Sequence, residues 1–353
     1  SMAVAESAES VQIHRLPQSK YVDGVRWFPS IPVFDRFAAL ALFDSDSSIS
    51  SVEIHALNLS KSRNHNVQSS WVSPSRISSL RVSRTSQKSL VAVSTLAGSL
   101  HVLLADPIDA SVNSVLSIPE KKLHDGPISC IDLQGNGAEC VSVGEDGIVN
   151  CVTIEDSKLT CRRVFDGNGL VSYNAVKWAS PTEFATGGLG FNLQWWDIRS
   201  HTGPVSQFNG NRDQNTASGI VHSIDVHPSR KHMCLAGGSL GTVFAWDLRG
   251  KQQPVILSGI GMPEGPTCSP IESQVWEVQF DPYCGTANLS LSKMLPAMMC
   301  SEDGILAFIE QGKEPTVLFA EPCAINGFDI DEQNPSDIIC RLEWESVAVL
   351  RRP

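Results

Sequence analysis

The chain has 353 residues, 42% of them apolar and 18% charged, enough to build a large core and to exclude global disorder. Its formal net charge of −11 repels phosphate backbones and anionic headgroups, which argues against direct nucleic-acid or membrane-surface binding. No stretch approaches the roughly 18 apolar residues of a membrane span, and the acidic start SMAVAESAES is unlike a signal peptide, so a soluble intracellular protein is expected.

Length alone permits several domains of about 100 to 200 residues or one large β unit, and an internal repeat decides between them. A triplet of two apolar residues around a variable one recurs as Val25-Arg26-Trp27, Leu80-Arg81-Val82, Ile131-Asp132-Leu133, Val176-Lys177-Trp178, Ile224-Asp225-Val226, Val278-Gln279-Phe280 and Phe328-Asp329-Ile330. The first residues of these seven triplets lie 45 to 55 apart, with a mean of 50.5. Several run into proline, as in Trp27-Phe28-Pro29, Val226-His227-Pro228 and Phe280-Asp281-Pro282, and proline ends strand pairing because it has no N–H.

A second feature follows the middle triplets in phase: an apolar run, a Gly-containing tight turn, then another apolar or alternating run. It reads CVSVGEDGIVNCVTI at 140–154, EFATGGLGFNLQWWDIR at 183–199, MCLAGGSLGTVFAWDLR at 233–249 and MMCSEDGILAFIE at 298–310. Asp146-Gly147 and Asp303-Gly304 are hairpin signals, because these residues tolerate positive φ. Each repeat therefore holds at least three short antiparallel strands, and no segment carries a sustained helical period, so helices should be few and short.

Trp196-Asp197 and Trp246-Asp247 end their strands as the WD dipeptide does in WD40 repeats, which the chain therefore resembles. The resemblance implies an all-β fold, a seven-bladed WD40-type β-propeller over residues 11–353, with 1–10 a flexible segment. Residues 11–16 would supply the outer strand of the last blade, whose other strands come from 323–353, and so close the ring and remove exposed edges. The pattern is uneven. His124, Ser142 and Asp146 resemble the buried relay of a WD40 blade, but Val152 holds its Trp position; Trp246 is present where the turn position is Leu240.

Catalytic signals are weak. Gly237-Gly238-Ser239-Leu240-Gly241 matches G-x-S-x-G, yet a strand follows where a nucleophile elbow needs a helix. Glu145-Asp146 and Glu302-Asp303 sit in equivalent hairpin turns, which favours a structural reading over acid/base chemistry. The histidines show no H-E-x-x-H spacing, and no phosphate loop is present. Ten cysteines include no C-x-x-C pair and are expected as buried thiols, not a metal cluster. No enzymatic activity, metal or cofactor is expected.

Binding candidates are of three kinds. The residue two before each triplet is Asp23, Ser78, Ser129, Asn174, His222, Trp276 or Asn326. By the period of two these side chains share the triplet's apolar face near the strand start. Trp276 is then a candidate partner contact, with Tyr21 and Tyr173 nearby; packing between blades is the competing reading. Long connections at 201–219, 250–274 and 283–297 are recognition candidates. Within the second, the apolar run 254–263 offers Ile256, Leu257 and Met262, although it also contains an outer strand. Residues 58–76 are Ser-rich and basic and read as a solvated loop. Finally, Trp196-Asp197-Ile198-Arg199 and Trp246-Asp247-Leu248-Arg249 read W-D-x-R, a motif that resembles the one by which WD40 substrate receptors dock on the adaptor of a cullin-type ubiquitin ligase. Arg199 and Arg249 would make that contact, unless each simply forms a local charge-assisted hydrogen bond; such a substrate receptor, or another WD40 adaptor, is the alternative function.

Longer strings narrow the resemblance. VSVGEDGIVN (141–150), SQVWEVQFDP (273–282) and CSEDGIL (300–306), with VRWFP (25–29) and FAALALFD (37–44), are similar to the nucleoporin forty-three family of small WD-repeat nucleoporins. That resemblance implies a non-catalytic scaffold subunit of the Y-shaped outer ring of the nuclear pore complex at the nuclear envelope, also found at kinetochores. Its implied partners are an α-solenoid nucleoporin of the short arm and other outer-ring nucleoporins, with a monomer expected in isolation and a role in protein and mRNA transport.

Overall fold

A computed structural model of the chain describes residues 11–29, 36–57, 65–83, 85, 89–209, 219–248, 254–258, 273–283 and 295–353. Its strands form seven four-stranded sheets, the blades of a seven-bladed β-propeller. The inner strands are Tyr21–Phe28, Ile77–Val82, Cys130–Leu133, Tyr173–Trp178, Val221–His227, Val275–Phe280 and Ile325–Ile330, each carrying one triplet. In blade seven the outer strand is Gln12–Pro17, beside Ser346–Arg351 and Asp337–Leu342, as the closing-strand expectation required. Among the described residues the only helical element is the 3-10 turn Ser239–Gly241.

The chain has two compact units, one of His14–Trp178 with Trp344–Val349, the other of Ala179–Glu343 with Leu350–Pro353 and Ser1–Ile13. In the first unit the core lies between successive blades, because strands buried on both faces send alternate residues to opposite neighbours. Strand Ser89–Thr95 shows this: Val91 and Val93 pack with Ala39, Ala41 and Ile54 of blade one, whereas Leu90 and Ala92 pack with Ile131, Leu133 and Cys140 of blade three. All seven of its residues are buried, which is why it reads as a near-continuous apolar run. In the second unit Leu235, Val243 and Ala245 of blade five meet Val278, Phe280 and Met299 of blade six in the same way.

Sheet-face packing leaves one need unmet. On the inner edge of each blade, the C=O of the triplet's first residue and the N–H of its third point the same way, off the sheet, with no strand to pair them. At five junctions the middle residue of the preceding triplet supplies the partner. Arg26 Nε donates to the Leu80 carbonyl at 3.2 Å, and Arg81 Nε to the Ile131 carbonyl at 3.2 Å. Asp132 accepts from the Trp178 N–H at 2.8 Å, and Asp225 from the Phe280 N–H at 2.7 Å. Gln279, an amide, does both: Nε2 donates to the Phe328 carbonyl at 3.2 Å and Oε1 accepts from the Ile330 N–H at 3.1 Å. The rule is chemical: a cation takes the carbonyl, a carboxylate takes the N–H, an amide takes both.

Two residues earlier, immediately before the triplet, a second rung forms where the side chain can accept. Ser79 Oγ receives the Ile131 N–H at 3.3 Å, Ser223 Oγ the Val278 N–H at 3.1 Å, and Glu277 Oε1 the Phe328 N–H at 3.0 Å. Gly327 makes room for the last, since a Cβ there would lie 3.1 Å from Glu277 Oε1 and 2.8 Å from Arg341 Nε.

Polar chains inside the blades vary. His124 Nδ1 faces Asp146 at 3.1 Å and its Nε2 faces Ser142 Oγ at 2.9 Å, so the relay read from these three residues forms. Trp196 Nε1 donates to Thr186 Oγ1 at 2.9 Å. In blade five the hydroxyl position is Ala236, and the buried Trp246 N–H has no acceptor among the described residues. Blade two carries a chain of hydroxyls, Thr95 to Ser99 at 2.7 Å, Ser99 to His101 Nε2 at 2.8 Å and His101 Nδ1 to Ser117 at 2.7 Å, with no carboxylate. In blade seven Arg352, 5% exposed, forks onto Asp281, 1% exposed, with its guanidinium 4.2 Å from the Tyr283 ring centre. Among the described cysteines six are buried, Cys130 is half-buried and Cys161 is exposed. The exposed thiol departs from the expectation because Cys161 sits on an outer strand, one side of which faces solvent.

Asp132→Ala orphans the Trp178 N–H and leaves Arg81, 3.7 Å away, and Lys177, 3.8 Å away, without their shared carboxylate. The expected cost is about 3–5 kcal/mol in urea unfolding, with Asp132→Asn distinctly milder because its carbonyl still accepts. Burial pushes the His101 pKa down to about 4 from 6.5, so the unfolded chain binds that proton more tightly than the folded one. His101 therefore costs no stability above about pH 6.5 and removes on the order of 2–3 kcal/mol as pH falls to about 4. His101→Gln should flatten that decline in urea midpoints measured between pH 7 and pH 4.

Candidate binding edge at the inner-strand starts

The triplet period alone places the residue two before each triplet on the core face. The structure corrects this. In five blades the pairing of the inner strand with its neighbour slips just ahead of the triplet: between Val22 and Gly24, Ile77 and Ser79, Val221 and Ser223, Val275 and Glu277, and Ile325 and Gly327. The skipped residues are Asp23, Ser78, His222, Trp276 and Asn326, the candidates themselves. Such a bulge adds a residue to one strand, shifts the side-chain parity and re-aims the extra side chain. All seven residues at this position, Ser129 and Asn174 included, are half-buried.

The parity shift moves the core position to three before the triplet. Val22, Ile77, Ile128, Tyr173, Val221, Val275 and Ile325 stand there, each 4% exposed or less. Tyr173 is therefore a core residue, 1% exposed, and presents no contact surface; burial also pushes its phenol pKa up. The sequence carried the signal as a longer pattern, apolar-x-x-apolar-x-apolar, in all seven repeats.

Trp276 lies half-buried at its bulge. Its indole Nε1 donates to Glu302 Oε2 at 2.6 Å, and its ring lies 4.6 Å from His222, the bulge residue of blade five. His222 Nε2 meets Gln274 Oε1, an oxygen that only accepts, so Nε2 carries the proton. Burial lowers the His222 pKa, and the ring is neutral near pH 7. The result is a tilted aromatic pair held by two side-chain hydrogen bonds beside the turn 301–304.

In the other unit, Tyr21 is exposed and stacks on Phe43 at 6.4 Å, and the Arg76 guanidinium lies 4.2 Å from the Phe43 ring. Arg76 is fixed there by a fork onto Asp23, at 3.0 and 3.1 Å, which raises its pKa. Tyr21 and Trp276 thus share a structural address, the start of an inner strand.

The remaining candidates separate. Ile256 is half-buried on the outer strand Val255–Ser258, whereas Leu257 is 5% exposed and belongs to the core between blades five and six. Leu257 is the residue that the pairing with Val243 and Phe244 skips, and it turns into that core, so it is no docking residue. Met262 and Arg249 lie outside the described residues. Arg199 is exposed and forks onto Asp197 of its own tetrapeptide, Nε to Oδ1 at 2.9 Å and Nη2 to Oδ2 at 2.7 Å, and this bond holds the Asp197 pKa down to about 2. The G-x-S-x-G serine, Ser239, accepts the Ile220 N–H at 3.0 Å within a turn between two strands, not ahead of a helix. Sequence reasoning missed the triplet's middle residues, which were legible as seven polar side chains at one phase, each between two apolar ones.

Comparison with known proteins bears on the whole chain. It is 55% identical over 358 aligned positions to the nuclear pore complex protein NUP43 of Arabidopsis thaliana, covering 98% of this chain and 99% of that one. The chain belongs to the NUP43 family. Nucleoporin Nup43 of mouse and of human are each 27% identical, over 62% of this chain and 53% of theirs. No protein-family model matches the chain. The strings around Asp146, Trp276 and Asp303 had pointed to this family, and the NUP43 fold is the seven-bladed propeller described above.

Because Arg199, among the described residues, forks onto an acid two residues away, in solvent, Arg199→Ala should leave the melting temperature of this NUP43-family chain unchanged in calorimetry. A clear drop would show that the fork holds more than its own turn.

Proposed function

We propose that this protein is a structural, non-catalytic subunit of the nuclear pore complex, located at the nuclear envelope. The observation that carries the reading is near-complete alignment, at 55% identity, with a protein named for the nuclear pore. In this reading the propeller is a rigid binding platform in the outer ring. It attaches to an α-solenoid nucleoporin of the short arm, and the Trp276 edge is the contact. Two observations support that choice: Trp276 is half-buried at a bulge, and its indole is oriented by Glu302 instead of being consumed in the core. Anchors of this kind, aromatic and pre-positioned, supply most of the energy of protein interfaces.

A cullin-adaptor role would rest on W-D-x-R, and Arg199 spends its fork on Asp197.

The test is affinity purification of the tagged chain from cells, followed by mass spectrometry. Outer-ring nucleoporins are expected at near-stoichiometric yield; recovery of a cullin and its adaptor in their place would overturn the scaffold role. Trp276→Ala should weaken binding of the co-purified solenoid by more than about 2 kcal/mol, measured by titration calorimetry. An unchanged affinity would remove Trp276 from the interface.

A further inference from the structure

We propose that the inner-strand-start edge of the Ala179–Glu343 unit docks a partner segment that pairs leucine-type side chains with flanking lysine or arginine. This deepens the reading of that edge as the protein-binding face, and rests on it, by assigning the chemistry of what binds.

The first observation is an exposed apolar turn residue held under strain. Leu240 adopts φ +61° in the turn Ser239–Gly241 and is 50% exposed. The left-handed region is costly for a branched, bulky residue and suits Gly or Asn. Blade six solves the equivalent turn with Asp303-Gly304, Gly304 taking the positive φ. Leucine thus adds strain and exposes apolar surface, and with half its surface in solvent it adds little to the core. Strain of this kind, retained without structural return, points to function.

The second observation is continuity. Leu189, 51% exposed, occupies the same turn of the preceding blade and bridges Ile220, while Ser239 N–H donates to the Ile220 carbonyl at 3.0 Å. Two residues on, the His222 ring packs at a tilt against Trp276. Leu189, Leu240 and Trp276 therefore belong to one hydrogen-bonded edge.

The third observation is charge. Across 188–191, 219–222, 238–242, 273–276, 301–304 and 321–324, Glu302, Asp303 and Glu321 are the charged side chains, with no lysine or arginine, and His222 is neutral near pH 7. Among the described residues, then, this apolar strip is rimmed by carboxylates, which select a cationic rim on a partner and penalise an acidic one.

The test uses the full chain and a fluorescent helical peptide about five turns long, with leucines along one face and lysines flanking them, against the same peptide with glutamates in place of the lysines. By anisotropy the lysine peptide should bind at least about tenfold tighter than the glutamate peptide, and should loosen as salt rises from about 50 to about 300 mM. Leu240→Asn should weaken it at least about tenfold while raising the melting temperature, because strain is relieved as contact is lost. Glu302→Gln with Asp303→Asn should remove most of the salt dependence. Equal binding of the two peptides, or wild-type affinity in folded Leu240→Asn, overturns the inference. The assay contains no pore component: peptide binding without co-purified nucleoporins would sink the pore assignment alone, and the reverse would sink this inference alone.

Discussion

Everything in this fold depends on how a blade satisfies the bare inner edge of the next. A four-stranded sheet leaves one row of peptide groups unpaired on that side, and in a propeller that edge is too crowded for a fifth strand. The solution is a side chain bonded to a backbone. Arg26, Arg81, Asp132, Asp225 and Gln279 each reach the next blade's triplet. Apolar packing between sheet faces is plentiful but non-directional. The polar rungs fix the register of one blade on another, and so the position of every turn along the edge.

The bulge is the second half of that arrangement. A regular inner strand would place the residue two before the triplet into the interblade core, where Asp23, Ser78, His222 and Trp276 would be costly or oversized. By inserting one residue the strand keeps an apolar side chain at the next core position, three before the triplet, and turns the extra one toward the edge. The same slip explains why two aromatic residues close in sequence phase part company. Tyr173 falls on the core position and is enclosed; Trp276 falls on the bulge and stays half-open.

Fold class was legible because the repeat has two independent signals, the triplet and the turn-flanked pair of strands, and their phases agree. The closing strand at Gln12–Pro17 was legible too, since an otherwise incomplete last blade needs one. Side-chain direction near the strand start was not, because strict alternation holds only while the ladder is regular, and a bulge leaves no signature in a pattern searched at period two. The apolar residue three before the triplet was the available clue. Leu257 shows the other limit: an apolar segment between long connections looks like a docking loop until pairing of Val255 and Ile256 with Ala245 and Phe244 reveals a strand whose skipped residue, Leu257, turns into the core. In Arg199 the residue types were right for a charge-assisted bond, but the bond closes within its own turn.

A bulged residue takes no part in the ladder, so its identity is nearly free of the fold. The chain displays this within itself, as Asp, Ser, His, Trp and Asn fill the bulge in the five blades whose pairing slips there. Five bulges amount to a substitution scan already performed by nature at a single address. New recognition could therefore be written at one blade without asking the other six to change.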